Sequence, residues 1–198
     1  MRFAVPLLLL FATACISPMR VEPMSVPLQY KGMADTDDYD RFSDCAAISD
    51  IRVTDARTDK TLGQRFIQGV SEPWADVKTD SNVAEWVTTG VVEGLKNSGA
   101  AVAVAGKPVL HVSVEQVSTK ENVYFASGYE GHVVISGELL GANGKACWKN
   151  RAEGSGENYG HAGSIANYQE TLNHALDRAV ISMLSSLESS VCDCGENE

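Results

Sequence analysis

Thiols are the residues of this chain best placed to do chemistry. Five cysteines occur, at positions 15, 45, 147, 192 and 194. Cys15 ends an apolar run, and setting it aside leaves Cys45, Cys147, Cys192 and Cys194 as an even set. Four thiols can close two disulfides in any of three pairings. The same four could hold zinc as thiolates, but no C-x-x-C pair is present and an exported chain meets an oxidising compartment, which favours disulfides. Cys192-x-Cys194 also lacks the spacing of a C-x-x-C redox pair, so a structural role is expected for both.

The other reactive side chains form weaker patterns. His111, His132, His161 and His174 each stand alone on their elements, with no H-x-H or H-E-x-x-H spacing, so no metal site is expected. Gly154-Ser155-Gly156 lacks the G-x-S-x-G elbow and falls at the end of a strand, which argues against a nucleophile. Nor do Gly154, Gly156 and Gly160 open a helix with phosphate-cradle spacing. One polar cluster remains, Asp55, Arg57, Asp59 and Lys60, directly after a strand. Two acids beside two bases make loop ion pairs most simply, and a partner-docking or ligand loop is the functional reading. No catalytic residue is assigned, and the chain is read as a non-enzyme.

The first residues explain Cys15. Met1-Arg2 is a positive start, Phe3–Phe11 is apolar, and Ala12-Thr13-Ala14 are small residues before the cysteine, so residues 1–14 read as a signal peptide. The apolar run is shorter than the roughly 20 residues that span a bilayer. Ala12-Thr13-Ala14-Cys15 is similar to a bacterial lipobox, with Ala12 where leucine is usual. Cleavage there would free Cys15 to carry a diacylglycerol and an N-acyl chain, and several chains anchor stably where one would not. Plain secretion with a free thiol is the alternative. Residues 15–43, with Pro18, Pro23 and Pro27 and no apolar period, read as a flexible tether with a coil-like span of roughly 30 Å. Ile16 stands where inner-membrane lipoproteins often carry aspartate, so an outer-membrane location facing the periplasm is expected.

Loss of residues 1–14 removes one base and no acid, moving the formal net charge from −10 to −11. Such acidity, without a basic stripe, excludes nucleic acid as an expected partner. It also assigns anchoring to the acyl chains, not to a polybasic patch.

The elements that must position these groups are legible from periodicity. "SDIRVTDAR" alternates as a strand, and "AAVAVAG" and "PVLHVSVEQV" follow as a short and a long one. Between them, "TDSNVAEWVTTGVVEGLKNSG" has an apolar stripe through Val83, Val87, Val91 and Leu95, a cap at Asp80 or Ser81 and a stop at Gly99. "GYEGHVVISGELL" and "KACWKNRAEGSGEN" form a hairpin about Asn143-Gly144. Ile165, Tyr168, Leu172, Leu176, Ala179, Met183 and Leu187 stripe a final helix, with Asn167 and Glu170 fitting a capping box. The expected fold class is α+β. It is a two-layer sandwich in which a mixed, mostly antiparallel sheet carries two amphipathic helices on one face. Residues 44–188 would form this domain and 189–198 an acidic, irregular, cysteine-containing tail. If the first strand runs parallel to the 108–117 strand, Cys45, Cys147, Cys192 and Cys194 gather at one pole, with the tail linked to Cys45 and Cys147.

With the signal ending in cysteine, the stretch Asp55-x-Arg57-Thr58-Asp59-x-x-Leu62 and "NYQETLNHALDRAVISMLSSL", the chain resembles the YajG-type family of Gram-negative lipoproteins over about residues 45–187. The resemblance implies a small periplasm-facing lipoprotein without established enzymatic activity. The expected role is therefore a lipid-anchored, non-enzymatic interaction or assembly module of the cell envelope. Its partners would be the membrane, through the anchor, and an envelope protein or cell-wall component; no cofactor is expected beyond the acyl chains. The alternative is a cell-wall fragment or glycan binder, with Trp148, Tyr124, Phe125 and Tyr129 offering stacking surfaces.

Overall fold

The computed structural model describes residues 20–194 except 33, 35, 43–46, 106, 125 and 193. Cys15 and Cys45 therefore lie outside the described residues. The strands are Met24–Ser25 (β1), Ala47–Ile48 (β2), Asp50–Asp55 (β3), Gly63–Ile67 (β4), Trp74–Lys78 (β5), Ala101–Val102 (β6), Val109–Val123 (β7), Ser127–Leu140 (β8) and Ala146–Gly160 (β9). The helices are Val83–Asn97 (α1) and Ile165–Val191 (α2).

A mixed sheet of seven strands runs β1-β5-β4-β7-β8-β9, with β3 also on β7. β7 organises it. One edge pairs antiparallel with β8, and the other is shared end to end by β3 along Val109–Val114 and β4 along Thr119–Val123, both parallel. A bulge between Val114 and Gln116 switches which residues face the helices. Before it these are Leu110, Val112 and Val114, and after it Val117, Thr119 and Glu121, all buried. Both helices lie on that face, giving the expected α+β two-layer sandwich, and among the described residues no element covers the opposite face of the sheet.

α2 lies unusually low on the sheet. A Cβ on Gly154 would sit 2.2 Å from the Ala175 carbonyl oxygen, and one on Gly156 2.2 Å from that of Thr171. These glycines are the seat of the helix, which accounts for the Gly-Ser-Gly pattern without any nucleophile. α1 meets α2 in the same way, with Gly90 against Leu176 and Gly94 against Val180.

Five details differ from the sequence expectations. α1 is capped by Asn82, whose side-chain oxygen accepts the Glu85 N–H at 3.3 Å, and not by Asp80 or Ser81. The segment read as a tether packs on the domain from Arg20 to Phe42. Val26, fully buried, donates its N–H to the Lys78 carbonyl; Tyr39 and Phe42 join the core; and the Tyr30 hydroxyl donates to Asp177 at 2.6 Å. Burying a side chain such as Val26 is worth about 1.5–3 kcal/mol, enough for scattered apolar residues to hold a segment that has no period. The stretch between β3 and α1, in which no strand is expected, carries β4 and β5 as an antiparallel hairpin. α2 is capped by Ser164, whose hydroxyl accepts the Asn167 N–H at 3.3 Å, so Asn167 lies inside the helix and is not its cap. Finally α2 continues through Glu188 to Val191, because Leu187 and Val191 extend its buried stripe into the segment expected to be irregular.

Candidate functional site

The strand directions give the molecule two poles. β3 starts, β8 ends and α2 ends at one of them, where Cys147 at the start of β9 is bonded to Cys194. Cys192 is also disulfide-bonded; Cys45, the partner expected for one tail cysteine, lies outside the described residues. The Cys147–Cys194 bridge spans 47 residues of sequence and should stabilise by about 2–4 kcal/mol, mainly by restricting the unfolded chain. Thermal unfolding of the Cys147→Ser/Cys194→Ser double variant measures this; an unchanged midpoint would remove the bridge from the account.

At the other pole the chain enters at Arg20, the hairpins β4–β5 and β7–β8 turn, and β9 passes into α2. Beneath it lies the most buried ionic group of the described residues. Glu121 has no solvent exposure, and its Oε2 accepts from Arg65 Nε at 2.9 Å and the Tyr168 hydroxyl at 2.7 Å. Oε1 accepts from the Gly163 N–H at 2.6 Å and lies 3.0 Å from the Tyr129 hydroxyl, whose one proton is shared with the His161 carbonyl. Burial, then the hydrogen bond to Glu121, holds the Tyr168 hydroxyl above its ordinary pKa. These four partners leave this carboxylate no site for a substrate; it ties β4, β7 and β8 to the start of α2. Arg65, Glu121 and Tyr168 escape sequence reasoning because nothing in their local pattern marks them as partners.

The loop of Asp55, Arg57, Asp59 and Lys60 bridges β3 to β4 along β7. Arg57, itself buried, donates Nε and Nη2 to the Asp55 carboxylate at 2.9 and 3.0 Å. Lys60 lies 3.2 Å from the same carboxylate, and Asp59 accepts the Thr61 N–H at 2.8 Å. The cluster thus closes on itself, with Asp59 and Lys60 turned outward. Chiefly through Arg57, the Asp55 pKa is lowered to about 2. A depressed folded-state pKa contributes stability that is present above the unfolded value near 3.9 and lost as pH falls towards 2. The melting-temperature gap between wild type and Asp55→Asn should therefore be open at pH 5 and above and close as pH falls to 2; a pH-independent gap would remove this assignment.

The uncovered sheet face is the broadest candidate surface. Towards the disulfide pole it forms an open depression of about 690 Å³ lined by Arg52, His111, Ser136, Glu138, Lys149 and Arg151 among others. Its cations are already matched: Arg52 with Asp50 at 2.8 Å, Lys149 with Glu138 at 2.7 Å and Arg151 with Glu115 at 2.8 Å. His132 and His111 lie on this face, His161 is exposed before α2, and His174 is half-buried on it. Among the described residues no three His, Cys, Asp or Glu groups come together as a metal site. Of the expected stacking residues, Tyr129 and Trp148 are core. The Trp148 indole donates to the Ser186 carbonyl at 3.1 Å and packs over Gly137. Tyr124 is exposed, and Phe125 lies outside the described residues.

With the architecture in view, its similarity to known structures can be placed. A protein from Xanthomonas campestris described as DUF330 aligns over 87% of this chain and 96% of its own, with a TM-score of 0.50 and 9% identity. The two share a fold. A lipoprotein from Neisseria meningitidis aligns over 57% of this chain and 84% of its own (TM-score 0.36, 14% identity), and a minor lipoprotein from Acinetobacter baumannii over 74% and 90% (TM-score 0.37, 5% identity). No protein-family model matches the chain, and no curated protein matches it significantly. These neighbours do not single out the YajG-type family.

Proposed function

We propose that this chain is a lipid-anchored envelope protein, held at the outer membrane by acyl chains on Cys15, that docks a periplasm-facing protein on its uncovered sheet face without catalysing a reaction. The observation that carries the reading is the face itself: broad, shallow and laced with ion pairs in which Arg52, Lys149 and Arg151 each already have an acidic partner, a surface suited to complementarity with another macromolecule. The signal ending in Ala-Thr-Ala-Cys supports the anchor. Cleavage before Cys15 leaves only residues 15–19 ahead of the packed segment, so the domain would sit close to its leaflet.

Fatty-acid labelling of cells should mark wild type and not Cys15→Ser, and equal labelling would end the anchor reading. For docking, a photo-crosslinker at Ser136 or Lys149 should trap a defined protein adduct, whereas one at exposed Lys96 on α1 should not. Retention on isolated peptidoglycan with no protein adduct would favour the alternative of a cell-wall fragment or glycan ligand, for which exposed Tyr124 and Tyr159 beside Glu130 and Glu157 offer a cleft.

A further inference from the structure

The large apolar side chains exposed among the described residues all gather at the pole where the chain enters. They are Trp74 (49% exposed), Tyr124 (60%), Tyr159 (74%) and Ile165 (44%). They come from β5, the β7–β8 turn, β9 and the start of α2, elements far apart in sequence. Trp74 and Tyr124 flank Phe66, their ring centroids 4.8 and 5.8 Å from it, and Tyr159 covers Gly128 on the neighbouring strand. Single exposed apolar residues need no explanation, but a cluster drawn from four elements does.

Charge is distributed in the opposite way. The three connections that build this pole, residues 66–74, 122–128 and 159–167, contain one formally charged residue, Glu72, in a chain that is 21% charged. The N-terminus emerges here too: Arg20 bridges in parallel to Glu72, two residues from Trp74, and the Val21 N–H donates to the Glu72 carbonyl at 3.1 Å. Cys15 lies five residues before Arg20, at most about 18 Å of extended chain. A lipid on Cys15 therefore brings the bilayer to this end of the molecule.

The geometry points to this pole as a membrane-contact surface: Trp74, Tyr124, Tyr159 and Ile165 seat in the headgroup region beside the anchor, with the disulfide pole directed away from the leaflet. Tryptophan and tyrosine suit that boundary because their rings are apolar and their polar atoms stay wet. The three connections themselves bring only Glu72 to the contact, while Glu130 and Glu157, beside Tyr124 and Tyr159, must stay on its wet side. The uncovered sheet face then stands across the membrane plane, open to a partner. This inference rests on the anchor reading for its geometry, yet can be tested apart from it.

Trp74 is a built-in reporter, since the other two tryptophans, Trp86 and Trp148, are buried. Purified wild type and Cys15→Ser would each be mixed with phosphatidylethanolamine–phosphatidylglycerol vesicles carrying brominated acyl chains. Expected for both is a blue shift and quenching of the red-edge emission, absent from Trp74→Phe. The triple variant Trp74→Ser/Tyr124→Ser/Tyr159→Ser on the Cys15→Ser background should partition onto vesicles at least about tenfold more weakly, with unchanged circular dichroism. Unquenched Trp74 in both proteins would overturn the membrane contact whatever the fatty-acid labelling shows. Quenching in a chain that takes no fatty-acid label would sustain the contact and remove the anchor. A blue shift that depends on protein concentration, without quenching by bromine, would assign the pole to a second copy of the chain and overturn the inference.

Discussion

Glu121→Ala is expected to destabilise the protein by about 3–5 kcal/mol, because it leaves a buried guanidinium without its partner. Arg65 is nearly as inaccessible as the carboxylate it meets, and cannot regain water without opening the junction of β4 and β7. The Tyr168 hydroxyl and the Gly163 N–H lose an acceptor at the same time, while the Tyr129 hydroxyl keeps the His161 carbonyl. At roughly 2–4 °C per kcal/mol for a chain of this size, the midpoint should fall by about 6–20 °C. The double variant Glu121→Leu/Arg65→Met should recover much of the loss, since buried ion pairs are often replaceable by apolar pairs of similar volume. A shift under about 2 °C for the single variant would show that water reaches Arg65 in the folded protein.

Gly154→Ala is the second large effect, and its sign is diagnostic. Replacing glycine by alanine in a compatible site usually stabilises by about 0.4–1 kcal/mol, through the unfolded state. Here the new methyl would lie 2.2 Å from the Ala175 carbonyl oxygen and 2.4 Å from the Ala179 nitrogen, both backbone atoms of α2. No side chain can swing aside, so the helix must lift from the sheet. We expect a cost of about 3 kcal/mol, the upper end of the usual overpacking range. Ser155→Ala, on the opposite, exposed side of the same strand, should change stability by no more than about 0.5 kcal/mol. Denaturant unfolding of the pair separates the two; a stabilised Gly154→Ala would mean that α2 does not sit where the structure places it.

Regular period made much of the fold legible. Val83, Val87, Val91 and Leu95 in α1, the stripe of α2, and the alternation of β7 and β8 each bury one face, so their patterns carried their structures. β4 and β5 were missed because five residues each, Gly63–Ile67 and Trp74–Lys78, are too short for a period to show. The segment from Arg20 to Phe42 was misread for a different reason. Its burial depends on Tyr30 reaching Asp177 and on β1 pairing with β5, contacts that no local pattern encodes. The Asp55–Lys60 loop was visible as charge, but whether those charges faced outward or each other was a matter of geometry. The exposed apolar cluster was the least legible, since Trp74, Tyr124, Tyr159 and Ile165 meet only after four elements have folded.

The placement of α2 has a consequence for biogenesis. The helix that covers the sheet is the last element to be synthesised, and the strand that completes one sheet edge, β1, is among the first. Until residues 165–191 are available, the apolar side of β7, β8 and β9 has nothing to bury against. A nascent chain emerging at about 5–20 residues per second therefore holds no finished domain until α2 has been made. Under the proposed anchor the chain would thread an export channel as an extended polymer; a fold that cannot complete early would then be an advantage, and the Cys147–Cys194 bond would lock the structure after passage.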